Sequence, residues 1–304
     1  MKKRPLQNLP ASVRARLQCI AQKRQDEFGF VLTSYVIERL LYRLSRSNFR
    51  DRFVLKGATL FVLWSGYPRR ATWDVDLLGY GSPSPEDLVP IFRQVLSLEV
   101  ESDGLVFDAD AIQTSIIQKD GDYKGVRLKI LAHLGQARVP IQVDVGYGDA
   151  IQPPAIEQPF PTLLDMPAPQ MKAYPREVVV AEKLQAMLTL GMANSRLKDY
   201  YDLWSLARYG AFDEKVLCLA IRSTFERRGT AFPAALPQAM GPDFVMASVK
   251  QKQWHGFVRR ARVPDPPSLD EVVLQIEAFL WPVLQQLQMG TNLERAWLPG
   301  GPWR

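Results

Sequence analysis

The sequence predicts an α+β protein in which a mixed β-sheet layer is followed by a mainly helical region. Three observations carry this expectation. Apolar residues recur at helical spacing before residue 50, alternate with polar residues in short runs between 53 and 147, and return to helical spacing from Arg176. The chain has 304 residues, a length that suits two domains. Hydrophobic residues make up 47% and charged residues 23%, which excludes a disordered or collagen-like chain.

Residues 10–28 place Val13, Leu17 and Ile20 on one side of a helix. In 33–46, Val36, Ile37, Leu40, Leu41 and Leu44 form one apolar stripe. Glu38, Arg39, Arg43 and Arg46 lie off it, and Thr33 or Ser34 is the expected N-cap. Phe53-Val54-Leu55 reads as a strand entering a turn at Lys56-Gly57. Ala58 to Leu63 reads as a short helix stopped by Ser65-Gly66-Tyr67-Pro68. From Thr72 to Leu77, period two puts Asp74 and Asp76 on one strand face, with Trp73, Val75 and Leu77 on the other. A helix is expected near 85–98, one or two strands in 104–118, and further strands over 124–132 and 139–145. Proline-rich punctuation runs from Gln152-Pro153-Pro154 to about 175. Helices are then expected over 176–190, 196–209, 213–227, 244–260 and 268–288. The expected organisation is basic N-terminal helices (1–52) packed on a first domain (53–165), then a helical domain (166–304).

The net charge of +6 is unevenly placed. Residues 1–52 hold 12 Lys/Arg against 4 Asp/Glu, whereas the rest hold 26 against 28. A polyanion-facing surface, RNA or DNA, is therefore expected in the N-terminal segment, with Arg39, Arg43 and Arg46 on it. The alternative is a solvated helix face and a frayed basic terminus. Two cysteines, Cys19 and Cys218, and two histidines, His133 and His255, leave a zinc ribbon, an iron–sulfur cluster, a disulfide framework and a histidine-rich metal site unsupported. No apolar run reaches the roughly 20 residues of a membrane span. MKKRPLQNLP is followed by no apolar signal region, so a cytoplasmic protein is expected.

The chemistry concentrates at Asp74-x-Asp76, preceded by Lys56-Gly57-Ala58-Thr59. Two carboxylates about 7 Å apart on one strand face repel unless something neutralises them. Mg²⁺ does so, favouring one or two carboxylates plus phosphate oxygens and water. A small residue between strand and helix leaves backbone N–H groups open to phosphate. Together these features make a site for a nucleoside triphosphate and its metal. Asp144 would bring a third carboxylate if its strand neighbours that of Asp76. In the helical half, Asp199 and Asp202 stand at i, i+3, with Lys183 on the preceding helix. That cluster reads either as surface salt bridging or as a phosphate-gripping lysine oriented by an aspartate. No Walker A motif, nucleophile elbow or dinucleotide-binding glycine fingerprint occurs.

Six motifs then stand in order. They are Lys56-Gly57-Ala58-Thr59, Arg70-x-Thr72-x-Asp74-x-Asp76, Tyr123-x-Gly125, Ile141-x-Val143-Asp144-Val145-Gly146-Tyr147-Gly148-Asp149, Ala181-Glu182-Lys183-Leu184 and Arg196-Leu197-Lys198-Asp199-Tyr200-Tyr201-Asp202-Leu203. In this order they resemble the AbiEii/AbiGii toxin family of nucleotidyltransferases, the group that includes MenT-type toxins of type IV toxin–antitoxin systems. The resemblance covers residues 50–230 strongly and the tail more loosely. It implies a polymerase-β-like nucleotidyltransferase fold, Mg²⁺, a nucleoside triphosphate and a cognate antitoxin. For MenT-type members it implies nucleotide addition to the tRNA 3′ end. The metal carboxylates would be Asp74 and Asp76, with Asp144 completing the shell or acting as base. Lys183 would be the essential lysine, and Asp199 or Asp202 its acid. Lys56, Gly57, Ala58, Thr59, Arg70 and Lys183 would lie on the nucleotide. The family often has a second Gly or Ser after Lys-Gly; Ala58 keeps the backbone N–H and lacks a hydroxyl.

Two other functions stay open at this point. One is a fold that has lost catalysis and acts as a protein-binding module; the presence of Asp74, Asp76, Lys183 and Asp199 argues against it. The other keeps the chemistry and moves the acceptor to a small molecule or a protein.

Overall fold

The computed structural model describes residues 8–66, 72–118, 124–263, 265–290 and 294–304. Arg70 and Tyr123 of the motifs, and the basic residues before Asn8, lie outside them. The described chain divides into two compact units. The first includes Thr72–Gly148 and Ile156–Ala173 with the described residues before them; the second takes Asp149–Ala155 and the residues from Tyr174 onward.

The first unit opens with α1 (Leu9–Arg24), whose first turn is capped by the Asn8 side chain accepting from the Ala11 N–H at 3.1 Å. Helix α2 (Phe28–Arg46) follows. It starts earlier than the expected cap at Thr33 or Ser34: Thr33 is buried, and the Ser34 hydroxyl donates to Phe30 O at 2.9 Å within the helix. The reason is burial. Phe28-Gly29-Phe30-Val31-Leu32 has no polar face to mark a helical period, because α2 is buried on nearly all sides.

The same burial corrects a second expectation. Arg39 and Arg43 are not exposed; they are 1% and 6% exposed, and of the three arginines only Arg46 faces solvent. Asp103 pairs with both, at 3.4 Å to Arg39 and 2.6 Å to Arg43. Arg39 also donates to Pro167 O at 2.9 Å and pairs with the adjacent Glu38 at 3.4 Å. A buried charge needs a partner, and these arginines use theirs to tie α2 to the loops beneath it.

The strands and helices that follow are β1 (Phe53–Lys56), α3 (Leu60–Ser65), β2 (Asp74–Gly79), α4 (Pro85–Leu96), β3 (Leu105–Phe107), β4 (Gln113–Gln118), β5 (Lys124–Leu134), β6 (Ala137–Tyr147), β7 (Ile156–Pro159) and β8 (Gln170–Ala173). The sheet order is β3-β5-β6-β2-β1-β8-β7, with β4 on β5. Two pairings, β2–β6 and β1–β8, are parallel and the rest antiparallel, which makes the sheet mixed. Phe53, Leu55, Val75, Leu77, Val126, Leu128, Val143 and Val145 form its buried face. On that face Phe53 meets Phe92 of α4 edge-on at 5.6 Å. The polar residues of the same strands fall on the other face. Strands β7 and β8 lie in the stretch that read as proline punctuation. Four residues each, with Pro159 and several exposed polar side chains, they offer almost no alternation to read.

The second unit contains α5 (Arg176–Leu190), α6 (Leu197–Tyr209), β9 (Phe212–Asp213), α7 (Glu214–Arg227), α8 (Pro242–Met246), α9 (Ser248–Ala261), α10 (Leu269–Met289) and β10 (Ala296–Trp297). The helix expected over 244–260 is two helices, broken at Ala247, where ψ is 115°. Helix α10 starts at a capping box in which Ser268 and Glu271 satisfy each other's backbone N–H groups. Leu184, Tyr200, Phe225, Phe244, Trp254, Phe279 and Trp297 are buried in this unit. Among the described residues no helix is long and apolar enough to cross a membrane.

Candidate active site

Strand register brings four charged residues of the first unit into one row. Lys56 of β1 lies opposite Asp76 of β2, Asp76 opposite Asp144 of β6, and Asp144 opposite Arg127 of β5. Registered partners share a sheet face, so the polar face carries cation, carboxylate, carboxylate and cation in sequence. Asp74, two residues before Asp76, faces the same way, next to Gln142.

Gly57 fixes the position of Asp76. Its φ is +74°, and a Cβ there would stand 2.0 Å from Asp76 Oδ2 and 2.7 Å from Asp76 Cγ. The turn must therefore be left-handed and bare. Asp74 is fixed from two sides: the Thr72 hydroxyl donates to its Oδ1 at 2.7 Å, and the Thr59 hydroxyl donates to its backbone carbonyl at 3.2 Å. Thr59 is buried and so positions the strand. Ala58, half-buried, stands in the turn between Gly57 and Thr59.

Both oxygens of Asp144 accept from Arg127, each at 2.8 Å. This forked pair raises the Arg127 pKa above its ordinary value, mainly through the hydrogen bonds to Asp144, with the charges of Asp144, Asp74 and Asp76 adding. The strand of Asp144 does neighbour that of Asp76, but Asp144 is turned to a guanidinium. Among the described residues no group of three or more His, Cys, Asp and Glu side chains is placed to hold a metal ion. The pair Asp74 and Asp76 on the polar sheet face, one backed by a bare glycine, fits the small carboxylate set that Mg²⁺ takes alongside phosphate oxygens and water. Arg127 was missed in the sequence. Its signal was its polar place in the alternation of β5, which gains meaning only once its partner strand is known.

The second unit holds the other predicted cluster. Lys183 of α5 donates to Asp199 Oδ1 at 2.6 Å and Asp202 Oδ2 at 2.8 Å, both on α6. Arg196 pairs with Asp199 Oδ2 at 2.6 Å. Both aspartates are 1% exposed and Lys183 is 12% exposed, so this is a buried network and not surface salt bridging. Burial alone would raise the Asp199 pKa; the charges of Lys183 and Arg196 outweigh it and hold the carboxyl below its usual range.

A Helicobacter pylori structure described as a nucleotidyltransferase is 14% identical and superposes with a TM-score of 0.50, covering 87% of this chain and 98% of that one. MenT4, a nucleotidyltransferase toxin of Mycobacterium tuberculosis, is 19% identical with a TM-score of 0.49, over 92% of this chain and 99% of that one. No curated protein matches the sequence. Residues 39–276 match the family described as "Nucleotidyl transferase AbiEii toxin, Type IV TA system". That match spans 238 of the 304 residues, and the chain therefore belongs to the AbiEii nucleotidyltransferase toxin family.

Proposed function

We propose that this nucleotidyltransferase toxin uses a nucleoside triphosphate and Mg²⁺ to modify RNA, with the tRNA 3′ end as acceptor, and that a cognate antitoxin neutralises it in the cytoplasm. The observation that supports this reading best is the registered row Lys56–Asp76–Asp144–Arg127, with Asp74 beside it. Its two ends are cationic and its middle is anionic, which suits a triphosphate brought in with a divalent ion.

Asp74 and Asp76 would hold the ion. When bound, Mg²⁺ neutralises charge developing on the α-phosphate and on the leaving pyrophosphate. In the reaction an acceptor hydroxyl would lose its proton to water as its oxygen forms a bond to the α-phosphorus and the bond from that phosphorus to pyrophosphate breaks. Thr72 and Thr59 hold Asp74 in place, and Gly57 holds room for Asp76. Both oxygens of Asp144 accept from Arg127, so it serves to orient that guanidinium. Lys56 and Arg127 supply positive charge at the ends of the row. The family resemblance implies that Lys183 is the essential lysine; its ammonium is clasped by Asp199 and Asp202.

The test is incubation of the purified chain with each labelled triphosphate, Mg²⁺ and total RNA. A labelled RNA band is expected, carried on tRNA. In Asp76→Asn the label should drop by at least about 100-fold, with the unfolding midpoint nearly unchanged. Label on protein alone would overturn the RNA acceptor; undiminished label in Asp76→Asn would overturn the site.

A further inference from the structure

We propose that a basic groove in the second unit, between the start of α6 and the exposed face of α9, seats the phosphate backbone of the RNA acceptor. This rests on the RNA reading above and gives that acceptor a track, which the buried Arg39 and Arg43 cannot.

The groove has a volume of about 540 Å³ and is lined by Arg196, Lys198, Lys252 and Arg260 among others, with no carboxylate among its lining residues. Lys198, Lys252 and Arg260 are exposed and form no ion pair among the described residues. Three unpaired cations around one concavity, with Arg196 paired to Asp199 at its edge, raise the local concentration of a polyanion. Lys252, Gly256 and Arg260 are four residues apart and so share one face of α9. Residues 244–263 hold five Lys/Arg and no Asp/Glu. One of the five, Lys250, is structural: it is buried and donates to Asn194 O at 2.7 Å.

Gly256 is the second observation. A glycine inside a helix costs stability relative to alanine. The packing of this unit does not require it, because a Cβ there would meet nothing nearer than Arg260 Nη1 at 3.8 Å. Its effect is a bare stretch of helix backbone along the groove, open to close approach by a narrow ligand. Beside it Phe257, half-buried, leans on Tyr201 and Trp254 at centroid distances of 6.0 and 5.5 Å. Cations, bare backbone and one aromatic side chain are what a single-stranded nucleic acid uses. An acidic protein would use the cations and leave the other two features without a role.

Two variants of the full chain test this. Lys198→Gln/Lys252→Gln/Arg260→Gln removes three cations, and Gly256→Leu fills the groove while keeping every charge. Binding is read with fluorescently tagged unfractionated tRNA across a salt series, and folding with thermal unfolding. The triple variant should lose about tenfold or more in affinity, and its log–log salt slope should become shallower by roughly 2. Gly256→Leu should also bind more weakly with its cations intact. Binding at parental affinity by both variants would overturn the groove while the parent's RNA labelling upholds the RNA reading. A parent that neither binds nor labels RNA overturns that reading and the groove with it. Variants that keep RNA affinity and lose retention on immobilised poly-glutamate assign the groove to an acidic protein and overturn the inference.

Discussion

Gly57 shows how one missing methyl group constrains a carboxylate of the proposed site. Asp76 Oδ2 occupies the space a Cβ would take, and the residue's φ of +74° is itself unfavourable for any side chain. We expect Gly57→Ala to cost about 1–2 kcal/mol of stability from the backbone alone. The larger effect should be on function, because Asp76 must move: transfer should fall by about 100-fold or more. Urea unfolding and initial rates at saturating triphosphate separate the two. An alanine variant with the parental turnover number would show that Asp76 tolerates displacement. The turn was readable in the sequence as Lys-Gly after an apolar run. The collision was not, because it joins residues 57 and 76 through a strand pairing that no local pattern reveals.

Lys183 binds two helices together. Spacing alone leaves Lys183 either in surface salt bridging or gripping phosphate, and the family resemblance implies a lysine that matters through its charge toward a ligand. In the structure its ammonium neutralises two buried aspartates of α6 from a seat on α5. Removing one partner of a buried pair leaves uncompensated charge, and we expect Lys183→Met to cost about 3–5 kcal/mol. Adding Asp202→Asn in the same chain should return part of that loss, which chemical denaturation of the two variants would show. An unfolding midpoint for Lys183→Met equal to the parent's would mean the aspartates are stabilised by other means. Among the elements, β2, β5 and β6 and the helices α5, α6 and α7 were legible because each has one wet and one dry face. Helix α2 was misread in its start and in Arg39 and Arg43 for the opposite reason. A charged residue off an apolar stripe looks solvated until a distant carboxylate, here Asp103, meets it in the interior.

Two buried carboxyls shape the stability of the molecule with pH, in opposite directions. Burial pushes Glu38 up to about 7 from an ordinary 4.5, despite the Leu163 N–H that donates to it at 2.7 Å. Between those values the folded state keeps a proton that the unfolded state has lost. Stability should therefore fall as pH rises through that window, by up to about 1.4 kcal/mol per pH unit. Asp199 is held below its ordinary 3.8, so its contribution is present above that value and disappears as pH falls beneath it. We expect Glu38→Gln to flatten the decline between pH 5 and 7 and leave the acid side unaltered. Urea unfolding across pH 3–8 checks it, and a variant with the parental decline would place the effect in other groups. Charge was also the quantity that sequence averaging treated worst. Residues 53–304 are nearly neutral in sum, which hid the acid-free stretch over 244–263.

The registered row carries a rule of parity. Its members come from positions 56, 76, 144 and 127 and meet only because four strands keep their registers. The faces of a strand alternate, so one codon inserted in β6 just before Asp144, with the earlier pairs kept, would turn Asp144 toward the helix-covered face and bring Val145 onto the polar face. Two inserted codons would return Asp144 to the correct face, displaced about 7 Å along the strand. Length changes inside these strands are thus filtered by whether they are odd or even, whereas the loop over 80–84 can lengthen without reversing any face.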